Sequence, residues 1–143
     1  MRAGRFVLVA ALAMVGCDKG GASDGNAPAE DPHAAFTDVS VDEVDKMMTD
    51  KKCVVVDANS GDTREKYGTV PGAVLLTSYE KYATSELPSD KSTKLVFYCG
   101  SEACSAAPKA AKLAKEAGYN DVAVMRAGIK GWVKAGKKVN QPG

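Results

Sequence analysis

Four short apolar runs constrain this chain more than any other feature. They are Cys53-Val54-Val55-Val56-Asp57, Ala73-Val74-Leu75-Leu76, Leu95-Val96-Phe97-Tyr98 and Val122-Ala123-Val124-Met125. None alternates apolar with polar residues, so each reads as a buried strand with no face given to water. The intervals between them are long enough for the helical crossovers that parallel strands require.

Those intervals carry their own signals. Ser40-Val41-Asp42-Glu43 fits a capping box. Val41, Val44, Met47 and Met48 then recur at helical spacing, and the methionine pair reads as core filler. Asn59-Ser60-Gly61-Asp62 is a turn cluster, followed by one or two helical turns from Thr63 to Tyr67. Val70-Pro71-Gly72-Ala73 is a rigid turn. A short helix is predicted from Ser78 to Leu87, stopped by Pro88. An Ala-rich helix follows Ser105, with Gly118 placed as its C-terminal cap. A last helix, Ile129 to Ala135, carries Trp132. The predicted fold is α/β, a small parallel sheet of about five strands with helices on both faces. The working site of such a sheet lies at the carboxyl ends of its strands.

The 143 residues suffice for one domain. The formal charge of +1 is spread without a basic stripe, which argues against nucleic-acid binding. The N-terminal part is read apart from the domain. Arg2 and Arg5 precede an apolar stretch from Phe6 to Val15, which is too short to span a bilayer comfortably. This is the pattern of a signal peptide over residues 1–16. Residues 17–35 are rich in Gly, Ala, Asp, Ser, Asn and Pro without hydrophobic period, and read as a flexible linker. The chain's single histidine, His33, falls at the end of that linker and is expected to be solvated. No metal site is expected, since the cysteines lack histidine partners. No cofactor is expected either. The domain proper is assigned to residues 36–143.

Cys99 ends the third apolar run, and Gly100-Ser101-Glu102-Ala103-Cys104-Ser105 leads into the Ala-rich helix. A cysteine at a strand-to-helix turn can be held as a thiolate by backbone N–H groups and the helix N-terminus. The domain as assigned contains no histidine, so Cys-His and Ser-His-Asp mechanisms have no base within it. Cys53 opens a buried strand and reads as a small apolar filler. Asp57, at the end of that strand, is expected to brace the neighbouring loop through hydrogen bonds.

Two resemblances add to this reading. Leu12-Ala13-Met14-Val15-Gly16-Cys17 resembles a bacterial lipobox. That implies an exported protein lipidated at Cys17, anchored to a membrane and facing the periplasm. Loss of Arg2 and Arg5 takes the charge of the mature chain to −1. The domain itself resembles a single-domain rhodanese-like sulfurtransferase. Val55-Val56-Asp57, Tyr67-Gly68-Thr69-Val70-Pro71-Gly72-Ala73, Phe97-Tyr98-Cys99 and Arg126-Ala127-Gly128-Ile129-Lys130-Gly131-Trp132 match the family's signatures in order. The resemblance implies that Cys99 carries sulfur as a persulfide. Gly100 to Ser105 would form the anion-binding loop, with Asp57 and Arg126 in supporting positions. The implied partners are a small sulfur donor and a thiol acceptor, which a protein could provide.

The chain departs from the family where chemistry is at stake. Ala58 and Asn59 follow Asp57, where many members have Arg, and Thr69 stands where many have His. The loop carries Glu102 and no Lys or Arg, which disfavours a dianionic donor such as thiosulfate. Arg126 and Lys109 are the nearest cations in sequence terms. Cys104 occupies a loop position often held by Arg. It is either a small loop filler or a resolving cysteine that forms a disulfide with Cys99. The alternatives to sulfur transfer are thus a Cys99/Cys104 redox pair or a non-catalytic binding module.

Overall fold

The computed structural model describes residues 31–142. The expected signal peptide, the expected lipidation site Cys17 and most of the expected linker lie outside the described residues. Five strands form one sheet: β1 (Thr37–Asp38), β2 (Val54–Asp57), β3 (Val74–Leu75), β4 (Leu95–Tyr98) and β5 (Val122–Met125). Their order is β1-β5-β4-β2-β3, and every pairing is parallel. Four α-helices complete the domain: α1 (Val41–Thr49), α2 (Gly61–Tyr67), α3 (Ala106–Glu116) and α4 (Gly128–Lys134).

Successive residues of the central strands point to opposite faces, and each face has its own core. Val56, Leu95, Phe97, Val122 and Val124 pack with α3. Val55, Val96, Tyr98, Ala123 and Met125 pack with Val44 of α1 and Ile129 and Trp132 of α4. The small residues Ala107, Ala110, Ala111 and Ala114 are fully buried and let α3 lie close on the sheet. The same alternation puts Cys99, the residue after β4, on the α3 side.

Several expectations hold. Ser40 and Glu43 form the reciprocal capping box of α1. Gly118, at φ +99°, follows the last residue of α3 in the left-handed conformation that a helix end favours. Met47 and Met48 are half-buried against the α1–α4 core.

Other expectations are corrected. The segment predicted as a helix from Ser78 to Leu87 has only a 3-10 turn, Thr84–Glu86. Glu86 explains why: its carboxylate accepts from Thr77 N and Ala83 N, folding the segment back as a loop. The run at Ala73–Leu76 is an edge strand of two residues rather than a buried strand, and its Leu75 is 47 % exposed. Strand β1 was carried by no apolar run; it is two exposed residues whose pairing with β5 supplies the fifth strand. The linker was expected to run to residue 35, with His33 solvated. Instead residues 31–36 turn back on the domain and bury His33 to 5 % exposure.

The carboxyl ends of the strands are tied together by one buried carboxylate. Asp57 is completely buried. It accepts from the Tyr98 hydroxyl, from Asn59 N at 2.6 Å and from Arg64 Nε at 3.3 Å. Arg64 also donates through Nη2 to the carbonyls of Asp57 at 3.1 Å and Leu76 at 2.9 Å. The Tyr98 hydroxyl in turn accepts from Val70 N at 3.0 Å. Burial, then the negative charge of Asp57, pushes the Tyr98 phenol far up, so it remains a donor. This network joins the ends of β2, β3 and β4 to α2.

The start of α4 is pressed against the loop that leaves β4. Ile129 N donates to Cys99 O at 2.8 Å, and Lys130 N to Gly100 O at 3.1 Å. Gly128 sits at φ +62°, and a Cβ there would lie 2.6 Å from Cys99 O and 2.7 Å from Gly100 C.

Two outcomes follow for stability. Tyr98→Phe leaves a buried carboxylate oxygen and the Val70 N–H without their partner, and should cost about 3 kcal/mol. Urea unfolding should show a lower midpoint at an unchanged slope. Gly128→Ala combines left-handed strain with overpacking on backbone atoms and should also cost on the order of 3 kcal/mol. In addition it should alter the alkylation rate of Cys99, because the residues it displaces carry that thiol. An alkylation rate equal to that of wild type would show that α4 does not hold the loop.

Candidate active site

The loop after β4 and the loop after β2 open at adjacent points of the sheet edge. The chain leaves β2 toward β3 on one side and leaves β4 toward β5 on the other. Such a reversal leaves a crevice at the carboxyl ends of the strands. Here it is a cleft of about 270 Å³, walled by Asn59, Ser60, Thr63 and Tyr79 on one side and Gly100, Cys104, Ser105 and Ala106 on the other. Among the described residues, no Lys or Arg lines it.

Cys99 lies beneath this cleft at 2 % exposure, and Cys104 lines it. The loop closes on itself through Cys104 N donating to Ser101 O at 3.0 Å. The Cys99 thiol donates to Cys104 O at 3.4 Å. Helix α3 begins just beyond. Its N-cap, Ser105, makes no side-chain cap bond, so the first N–H groups of the helix are left for other acceptors. Backbone N–H groups favour both thiolates: those of Ala107 and the loop residue Gly100 act on Cys99, and those of Gly100 and Ala106 on Cys104. Pro108, the third helical residue, has no N–H to offer there.

The two thiols influence each other's ionisation. Cys104 is pulled down, first by the hydrogen bond from the Cys99 thiol and further by backbone N–H groups. Cys99 is pushed up, first by that same hydrogen bond and then by burial. The pair therefore releases one proton readily and holds the second. The thiolate that forms first is that of Cys104. Cys99 and Cys104 are free thiols in this structure.

The other sequence-predicted positions are placed as follows. Gly100, Ala103 and Ser105 contribute backbone to the loop, and the side chains of Glu102 and Ala103 are exposed. Asp57 braces the β2 loop as expected, and its carboxylate is directed at Tyr98, Asn59 and Arg64. Arg126 lies at the end of β5, where its guanidinium reaches Asp31 Oδ2 at 3.4 Å and its N–H reaches Asp38 at 3.0 Å. Lys109 stands over the ring of Tyr79, 5.8 Å from its centre. Neither cation lines the cleft. Cys53 is half-buried against the α1–α4 core, and burial pushes its thiol up.

Three residues were missed by sequence reasoning. Arg64 supplies the guanidinium that Asp57 lacks at the following positions; its place in α2 was legible but its reach across to β3 was not. Asn59 lines the cleft at 8 % exposure, and its buried Nδ2 has no partner among the described residues. His33 contacts the cysteine loop itself, with Nε2 2.9 Å from Cys104 O. The domain therefore does bring a histidine to its cysteines, contrary to the expectation drawn from a boundary at residue 36. Among the described residues no cluster of His, Cys, Asp and Glu has the makings of a metal site.

Comparison with known proteins agrees with this geometry. A family model described as the rhodanese-like domain matches residues 40–135. No curated protein matches the sequence. Among solved structures, a protein from Bacillus halodurans is 19 % identical, with a TM-score of 0.64 over 76 % of this chain and 79 % of its own. A human single-domain sulfurtransferase is 21 % identical, with a TM-score of 0.55 over 68 % of this chain and 95 % of its own. A thiosulfate sulfurtransferase from Pseudomonas aeruginosa is 20 % identical, with a TM-score of 0.60 over 76 % of this chain. The match spans only 21 % of that longer protein. These structures share the fold: a five-stranded parallel sheet with four helices. With its family match covering four of the five strands, the cysteine loop and the closing helix, the chain belongs to the rhodanese-like domain family.

Proposed function

We propose that this protein is a sulfurtransferase that carries sulfur as a persulfide on Cys99. One observation carries the reading: Cys99 is buried in the loop that runs from β4 into the head of α3, whose N-cap Ser105 makes no side-chain cap bond. The N–H groups of Ala107 and Gly100 favour its thiolate against the hydrogen bond and burial that push the thiol up. The cleft selects the donor by what it lacks. Without Lys or Arg among the described residues of its wall, it offers a dianion no countercharge and suits sulfane sulfur borne by an organic persulfide or polysulfide, which leaves as a thiolate. The spare Asn59 Nδ2 is an uncharged donor for such a ligand. An exported, periplasm-facing protein anchored through a lipid on Cys17 is part of the same proposal, with a thiol or protein acceptor within reach of the membrane.

Cys104 supports a second reading, because its carbonyl accepts from the Cys99 thiol at 3.4 Å and its own thiol is pulled down in the same loop. Attack of the Cys104 thiolate on the inner sulfur of a Cys99 persulfide would form the Cys99–Cys104 disulfide and expel hydrosulfide. An external dithiol would then reduce the disulfide and restore both thiols. Without a persulfide, the same pair would serve as a two-electron thiol–disulfide couple.

Intact mass after exposure to polysulfide, mercaptopyruvate or thiosulfate separates these readings. The expected result is a gain of one sulfur that Cys99→Ser abolishes, with thiosulfate the poorest donor. In Cys104→Ser the persulfide should persist longer if Cys104 resolves it. Loss of two hydrogens, without sulfur gain, would instead establish the redox couple. Sulfur retained in Cys99→Ser and lost in Cys104→Ser would assign the carrier to Cys104. No change with any donor would leave a binding module.

A further inference from the structure

His33 is the chain's single histidine, and it reaches the cysteine loop across 71 positions of sequence. It is buried, and its Nε2 lies 2.9 Å from Cys104 O. The Cys99 thiol donates to that same carbonyl oxygen. A carbonyl only accepts, so Nε2 carries a hydrogen. Nδ1 is buried and has no partner among the described residues. The imidazole and the thiol thus share one acceptor from two sides.

The segment that delivers the imidazole is fixed. His33 N donates to Asp31 Oδ1 at 2.9 Å, Ala34 N to Asp31 O at 2.8 Å and Phe36 N to His33 O at 3.1 Å. Asp31 is tied in turn to Arg126 at the end of β5. Three separate parts of the chain therefore hold one side chain against one peptide group.

We propose that His33 is a positioning residue for the cysteine pair, holding the Cys104 peptide through its Nε2–H and weakening that carbonyl's hold on the Cys99 proton. A carbonyl oxygen facing a thiol favours the protonated form and repels the thiolate. An oxygen that already accepts an N–H has less electron density to offer, so the thiolate is opposed less. The imidazole also adds to the pull that lowers Cys104. This role rests on the sulfur-carrying reading for its purpose, but the geometry requires only that the pair be a nucleophile.

Other charges near His33 are shared by all variants of that residue. They are Asp31 and Arg126, the two thiols, and the α3 side chains that face the groove beside Asp31: Lys109, Lys112, Lys115 and Glu116. A comparison among His33 variants therefore isolates the imidazole.

The test is alkylation of Cys99 and Cys104 by iodoacetamide in the full chain, mapped by peptide mass and followed from pH 5 to 9. No sulfur donor is used. His33→Phe should move the profile to higher pH by about one unit, which slows alkylation about tenfold at pH values well below the midpoint. His33→Gln places an amide N–H near the Nε2 position and should recover most of the rate. A superimposable profile for His33→Phe would overturn the proposal. So would a His33→Gln variant that behaves as His33→Phe does. Should His33→Phe fail to fold, His33→Ala removes the donor without added bulk and reads the same comparison. If the alkylation shift appears while no donor loads sulfur, the sulfur-carrying reading fails and the role of His33 stands.

Discussion

The architecture of the site depends on the buried carboxylate of Asp57. A charge taken fully out of water is tolerated only with good partners, and Asp57 has three from separate parts of the chain. Removing one partner of such a group is far more destructive than its net contribution suggests, because the charge stays behind. The carboxylate therefore enforces a geometry more than it adds stability. Tyr98, which it grips, is the residue before Cys99. The position of the thiol is thus set from the opposite side of the sheet. Tyr98 points toward the α1–α4 core, and the next residue points toward α3.

Around that fixed point the sulfur environment is built from backbone. An uncapped helix start and a tight loop supply N–H groups, and none requires a cationic side chain. This accounts for the loop's tolerance of Glu102 and of a cysteine in place of a cation at position 104. It also explains why the two thiols must be considered together. With one donor array serving two sulfurs, a change at either one redistributes charge on the other.

Much of this was legible in sequence where the pattern was local. The three central strands are runs of apolar residues because both of their faces are buried, and the α1 capping box lies within four consecutive residues. Cys99 was legible for the same reason, as an apolar run meeting small residues and a helix. What escaped depends on distance in sequence. Strand β1 is two residues long and exists through its pairing with β5. The expected helix before Pro88 yielded to Glu86, whose carboxylate found backbone N–H groups on two sides. Arg64 and Asn59 took their roles from a topology that sets β2, β3 and β4 side by side. His33 was misplaced because its neighbours in sequence are those of a tether. Its burial comes from the cysteine loop, which no local pattern could reveal.

The carbonyls of Cys99 and Gly100 are claimed by the first N–H groups of α4. This gives the loop an inside and an outside. The inward side is a matter of peptide orientation, anchored from behind by a helix. The outward side is Glu102 and Ala103, which are exposed and stand beside Lys130 and Lys134 of α4 in a shallow depression. The two sides are therefore mechanically separate: a substitution at Glu102 or Ala103 changes the charge and shape of the rim, while the peptides that α4 holds keep their orientation.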